Sequence, residues 1–148
     1  MIAGSSTDPN YIKKIEQLIA THNLASCVTL LINAPRAKIL DMLSEASVFV
    51  LHSREESQGI ALCEALAVGI PVVATNIGGI PYVVTNETDG FLVPYGDVQA
   101  FASAITKILG DRQLRATMSA KAHQNSQRFN WNTISENVMA IYRLIIQI

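Results

Sequence analysis

The sequence predicts an α/β fold, a single Rossmann-like domain with a parallel sheet and helices on both faces. Three observations carry the prediction. Short β-rich apolar runs alternate with helix-like segments, the runs are continuously apolar, and loops bearing Gly, Ser, Thr or Asn follow them. Strand–helix alternation means parallel strands joined by helical crossovers. Continuous apolar runs suit strands covered on both faces. Such sheets take their ligands beyond the C-terminal ends of the strands.

The strands are read in order. Met1-Ile2-Ala3 is the tail of one, and Val28–Ile32, Val48–Leu51, Pro71–Ala74 and Phe91–Val93 are the others. Asp8-Pro9 supplies an N-cap followed by proline at the first helical position, opening a helix to about His22 with Ile12, Ile15, Leu18 and Ile19 on one face. A second helix spans roughly 37–44. A third starts near Gln58 and stops at Gly69-Ile70-Pro71, because glycine takes the left-handed cap and proline cannot continue the helix. Asp97 caps a fourth to about Leu109, and 111–146 reads as two more, broken near Phe129-Asn130. No linker, low-complexity tract or internal repeat interrupts the chain.

Bulk properties exclude several function classes. The 148 residues are 49% hydrophobic, enough for one domain with a real core. A net charge of −1 with signs interspersed lacks the basic footprint of a nucleic-acid binder. No apolar run approaches the ~20 residues that span a bilayer, and the N-terminus has no signal-peptide architecture, so a cytoplasmic location is expected. Cys27 and Cys63 lie far apart in apolar runs and read as plain buried thiols, so no metal site is expected.

Four loops form the expected rim: Gly4 to Asp8, Asn33 to Arg36, His52 to Gly59, and Thr75 to Gly79. Within the apolar stretch 55–75, Glu56 and Glu64 stand with seven residues between them. The helix carrying Glu64 is apolar nearly all round, so it is expected to be buried. A carboxylate there must be paired or hydrogen-bonded. A buried ion pair with Arg54 or Lys38 and a ligand clamp compete as readings of Glu64. For Glu56, a backbone cap competes with a ligand contact.

The linked set Ser53-Arg54-Glu55-Glu56-Ser57-Gln58-Gly59, Glu64-Ala65-Leu66-Ala67-Val68-Gly69-Ile70-Pro71-Val72-Val73-Ala74-Thr75 and Gly78-Gly79-Ile80-Pro81 resembles the donor-binding half of group 1 glycosyltransferases, family 4. Asp89-Gly90-Phe91-Leu92-Val93-Pro94, Gly96-Asp97, and Phe129 with Trp131 and Tyr142 extend the match over nearly the whole chain. The resemblance implies one half of a GT-B architecture, in which the active site lies between two Rossmann-like domains. It implies retaining transfer of a hexose from a nucleoside diphosphate sugar (UDP-, GDP- or ADP-linked), with no cofactor and no essential metal. It places Glu56 on hydroxyls of the donor sugar and Glu64 on the two ribose hydroxyls. Ser57, Gln58, Gly59 and Ile60 would face the diphosphate or sugar from a helix N-terminus, which suits an anion. Gly4 and Ser5, in the turn Gly4-Ser5-Ser6, would let the nucleotide approach. Asn33 and Arg36 fall where the family contacts the base, although Arg36 also reads as a solvated loop residue. His52 is either a phosphate or sugar contact or simply a polar loop residue.

Departures accompany the match. Ser57 and Gln58 stand where the family usually has Gly and Phe, His52 where Pro is common, and Tyr82 where Glu is frequent. The resemblance also leaves the family's acceptor domain, and the first strand and helix of its donor domain, without counterparts in these residues. No residue of the chain is therefore assigned a catalytic role, and the chain by itself is expected to transfer no sugar. A non-catalytic nucleotide-sugar-binding module, or half of a nucleotide-sugar epimerase, is the alternative. A domain without its first strand and helix would expose apolar sheet and an unpaired edge, so self-association is expected. Light scattering at high micromolar concentration checks it, and a strictly monomeric mass would count against it.

Overall fold

The computed structural model describes residues 1–5 and 8–146, and these fold as two compact units that divide between Ser44 and Glu45. The predicted α/β class with parallel strands holds in both.

In the first unit, β1 (Ile2–Gly4) pairs in parallel with β2 (Leu30–Ile32), with Ile2 opposite Leu30. Between them runs α1 (Pro9–Thr21), capped as predicted: the Asp8 side chain accepts from the N–H of Asn10, and proline occupies the first helical position. After β2, α2 (Arg36–Glu45) closes the unit. Cys27 lies in the turns before β2 and is exposed, against the expectation of a buried thiol. The apolar run 28–32 becomes strand only from Leu30, so it does not carry Cys27 into a core.

The second unit holds a three-stranded parallel sheet in the order β3 (Phe49–Leu51), β4 (Val72–Thr75), β5 (Gly90–Val93). Phe49 pairs with Val72, and Val72 with Gly90. Every residue of β4 is fully buried. Successive residues of a strand point to opposite faces, so both faces of β4 are covered. Val73 joins Val93, Phe101, Ala104, Ile108 and Met118 in the core formed with α5 (Val98–Gly110) and α6 (Arg112–Ser126). On the opposite face α3 (Ile60–Ala67) packs on β3 and β4 through Leu62, Ala65 and Leu66, all fully buried. Only β4 meets the expectation of strands buried on both faces, since β1 is exposed and Val50 of β3 is 41% exposed. A continuous apolar run sets strand propensity, whereas covering requires helices that the run does not itself specify.

The stop after α3 forms as predicted. Gly69 takes φ +78, its N–H donates to the Leu66 carbonyl, and the N–H of Ile70 donates to that of Ala65. That pairing is the Schellman arrangement and satisfies carbonyls the helix leaves open. His123 of α6 reaches the next one, with Nδ1 2.8 Å from the Ala67 carbonyl oxygen. A short helix, α4 (Ile80–Val83), was not predicted, because four residues give no periodicity to read. The predicted break after α6 is a 3₁₀ turn, Gln127–Phe129, followed by α7 (Trp131–Ile146), which buries no residue.

Among the described residues, Asp89 is the fully buried charge of this unit. Its Oδ1 accepts from the N–H of Thr85 at 2.8 Å and its Oδ2 from Nδ2 of Asn125 at 2.8 Å. One carboxylate thus closes the turn into β5 and ties it to the end of α6. Replacing it by alanine removes the charged acceptor of two part-buried hydrogen bonds, each contributing about 1.5–3 kcal/mol at most. Asp89→Ala is therefore expected to lower the stability of the chain by roughly 2–5 kcal/mol, and Asp89→Asn by less, as read from urea midpoints.

Candidate functional site

In the second unit the loops beyond β3 and β4 are locked together. The loop 52–59 starts from β3, and its Ser53 carbonyl accepts from Oγ1 of Thr75, the buried last residue of β4, at 2.8 Å. Further on, the Glu56 carbonyl accepts from the N–H of Gly79 at 3.0 Å. A Cβ on Gly78 would collide with the Glu56 carbonyl oxygen, and one on Gly79 with that of Ser57. Two successive residues without side chains are what let the second loop lie flat under the first.

The Glu56 side chain closes the loop. Its Oε1 accepts from the N–H of Gly59 at 3.1 Å. Gly59, the N-cap of α3, sits at φ +79, where a Cβ would also approach Leu62 Cδ1 to 2.8 Å. This geometry starts the helix at Ile60 rather than at the expected Gln58. The capping reading of Glu56 is thereby realised in part. The carboxylate is half-buried, and among the described residues Oε1 is its one engaged oxygen. Ser57 and Gln58 are exposed, Gly59 is buried and Ile60 is 67% exposed.

Glu64 lies one turn beyond Ile60 and is half-buried, not buried as expected. The helix is apolar nearly all round, but it covers only the face of Leu62, Ala65 and Leu66, while Ile60, Ala67 and Val68 stay open. Eight residues of helix laid on one face of a sheet cannot bury their full circumference. Cys63 beside Glu64 is half-buried. Burial pushes its thiol pKa up, its own backbone hydrogen bond and the Arg128 guanidinium pull it down, and Glu64 raises it further. A thiol held protonated in this way is a poor nucleophile.

His52 remains exposed, but its ring has partners: the Tyr95 ring at 5.1 Å and the Phe101 ring edge-on at 5.2 Å. Neither aromatic contact was legible from the loop sequence. In the first unit Gly4 ends β1, Ser5 follows it, Asn33 follows β2 and Arg36 opens α2, all four exposed. The Asn33 N–H donates to the Gly4 carbonyl at 2.9 Å, which brings the two strand ends together. Asn33 takes φ +54, a conformation asparagine tolerates better than most residues. Ser6 of the expected Gly4-Ser5-Ser6 turn lies outside the described residues. Each group of predicted residues therefore sits at the C-terminal ends of its own unit's strands.

Comparison with known proteins places this geometry in context. Residues 1–125 match the model of the family described as glycosyl transferases group 1. A D-inositol 3-phosphate glycosyltransferase of Jonesia denitrificans is 30% identical over 96% of this chain, which spans 34% of that relative. Among solved structures, sucrose-phosphate synthase from Thermosynechococcus elongatus superposes with TM-score 0.82 at 32% identity, over 98% of this chain and 38% of that one. Anabaena HepE in complex with UDP-glucose superposes with TM-score 0.81 at 30% identity, over 92% of this chain and 37% of that one.

The clasp gives a direct test. Gly79 has φ −82, so Gly79→Ala meets no torsional obstacle and its cost is the collision with the Ser57 and Gln58 backbone. It is expected to destabilise the chain by about 1–3 kcal/mol and to speed hydrogen exchange of the Gly59 amide. Gly110→Ala, at an open position at the end of α5, is expected to be neutral or slightly stabilising in the same urea melts.

Proposed function

This chain belongs to the group 1 glycosyltransferases, and from that premise we propose that it is the nucleotide-sugar-binding part of a retaining enzyme that moves a hexose from a nucleoside diphosphate sugar to an acceptor. One observation carries the reading: the loop 56–59, with both carboxylates on or beside α3, is preformed at the C-terminal end of the sheet by the Gly78–Gly79 clasp. A site held in place before the ligand arrives loses little ordering entropy on binding. The UDP-glucose complex of HepE makes a UDP-linked sugar the first donor to try.

In this proposal Glu64 accepts the two ribose hydroxyls and Glu56 accepts hydroxyls of the donor sugar, oriented by its bond to Gly59. The N–H groups of Ser57, Gln58 and Ile60 face the diphosphate or sugar. That of Gly59 is already taken by Glu56, so Gly59 contributes its left-handed backbone. Gly4, Ser5, Asn33 and Arg36 supply contacts to base and phosphate, and His52 contributes at the rim. The proposed reaction uses no essential metal, runs in the cytoplasm and completes its active site with an acceptor-binding domain. Self-association belongs to the same proposal, supported by exposed apolar residues such as Trp131 at 81% and Leu144 at 80%.

Charge-assisted hydrogen bonds contribute roughly 1.5–3 kcal/mol, and each 1.4 kcal/mol is about tenfold in affinity. Glu64→Gln is accordingly expected to weaken UDP and UDP-glucose alike by roughly tenfold or more, because both carry the ribose. Glu56→Gln is expected to weaken UDP-glucose and leave UDP nearly untouched. Calorimetric titrations with both ligands, beside urea melts, read the outcome. Unchanged affinities in both variants with a large loss of stability in Glu64→Gln would sink the assignment.

A further inference from the structure

At the end of the second unit's sheet opposite to the loop 52–59, the turns entering β3 and β4 and the outer side of α6 enclose an open cavity of about 270 Å³. At roughly 30 Å³ per water it holds about nine waters, or one phosphoryl group with several. Ser47 comes from the turn before β3, Gly69 and Pro71 from the turn before β4, and Arg112, Arg115 and Ser119 from α6. The lining thus carries two guanidinium groups, two hydroxyls and no carboxylate.

The backbone N–H groups of the turn before β4 are already spent. The N–H of Gly69 is bound to the Leu66 carbonyl, the N–H of Ile70 to that of Ala65, and Pro71 has none. The carbonyl end of α3, which would repel an anion, is quenched by those bonds, by the Val68 N–H on Glu64 and by His123 on Ala67. Asp111 caps α6 by accepting from the Leu114 N–H, so the side chains supply the attraction here. Arg115 is half-buried and anchored, with Nη1 donating to the Leu109 carbonyl at 3.2 Å. Arg112 is exposed and has no hydrogen-bond or ion-pair partner among the described residues. An anchored guanidinium, a second one ready to close, and two hydroxyls suit a tetrahedral oxyanion, because the guanidinium fork matches two phosphate oxygens at once.

We propose that this cavity is a binding site for a phosphate group, either inorganic phosphate or a small phosphomonoester, separate from the loop assigned to the donor. The test titrates the 148-residue chain with inorganic phosphate, and in parallel with glycerol phosphate, at constant ionic strength set with chloride. Backbone amide resonances report the occupied residues. Saturable shifts centred on Ser47, Gly69 and Ser119 are expected, and the tighter of the two titrants distinguishes the free ion from the ester. Arg112→Gln, an exposed replacement that leaves the Arg115 anchor intact, is expected to weaken binding roughly tenfold or more with an unchanged urea midpoint. Ser119→Ala is expected to weaken it severalfold. Absence of saturation with both titrants, shifts centred elsewhere, or equal affinity in wild type and Arg112→Gln would each overturn the site.

Discussion

The carbonyl oxygens of Glu56 and Ser57 lie where side chains of Gly78 and Gly79 would have to be. That exclusion fixes the most consequential loop of the molecule. The same loop ends in the left-handed turn at Gly59, where α3 begins. The hydrogen bonds from Thr75 to Ser53, from Gly79 to Glu56 and from Gly59 to the Glu56 carboxylate then hold what the steric fit has placed. None of these bonds is strong alone, and net values near 1 kcal/mol apiece are usual. Together they leave the segment few other conformations.

Behind the loop stands a strand that cannot shift. β4 is covered on both faces, by α3 on one and by α5 on the other, with α6 packed against both helices, so a one-residue slip would exchange its two packed sides. The far ends of these layers are tied by polar contacts: Asp89 to Thr85 and Asn125, His123 to the end of α3, and Arg128 to the Val83 carbonyl at 2.7 Å. α6 and the turn after it supply a partner in each of the three. The C-terminal third of the unit therefore positions α3 from behind. α7 stands apart from this scheme, with an apolar helix and no buried residue.

The two carboxylates of the loop and helix are held differently by the fold. Glu56 spends one oxygen on the backbone and is oriented by it. Glu64 sits on the part of α3 that the sheet leaves uncovered. Both are half-buried, a setting in which the charge-assisted bonds proposed for them would gain strength over fully hydrated ones.

The sequence by itself determined the order and type of the long elements, the Asp8 and Asp97 caps, the glycine stop at Gly69, the family, and the positions of both carboxylates. These are local or linear properties, carried by periodicity, capping chemistry and motif spacing. Burial was a different matter. Cys27, β1, β3 and half of α3 looked apolar enough to be interior and are not, because being covered depends on which elements arrive from elsewhere in the chain. The same reason hid the partners of His52, the pairing of Asp89 with Asn125, and the contact of Gly78 and Gly79 with a loop some twenty residues earlier. A doublet of glycines announces a close approach without naming what approaches. Only the tertiary structure could decide that, since the answer is set by packing between segments that share no pattern in the sequence.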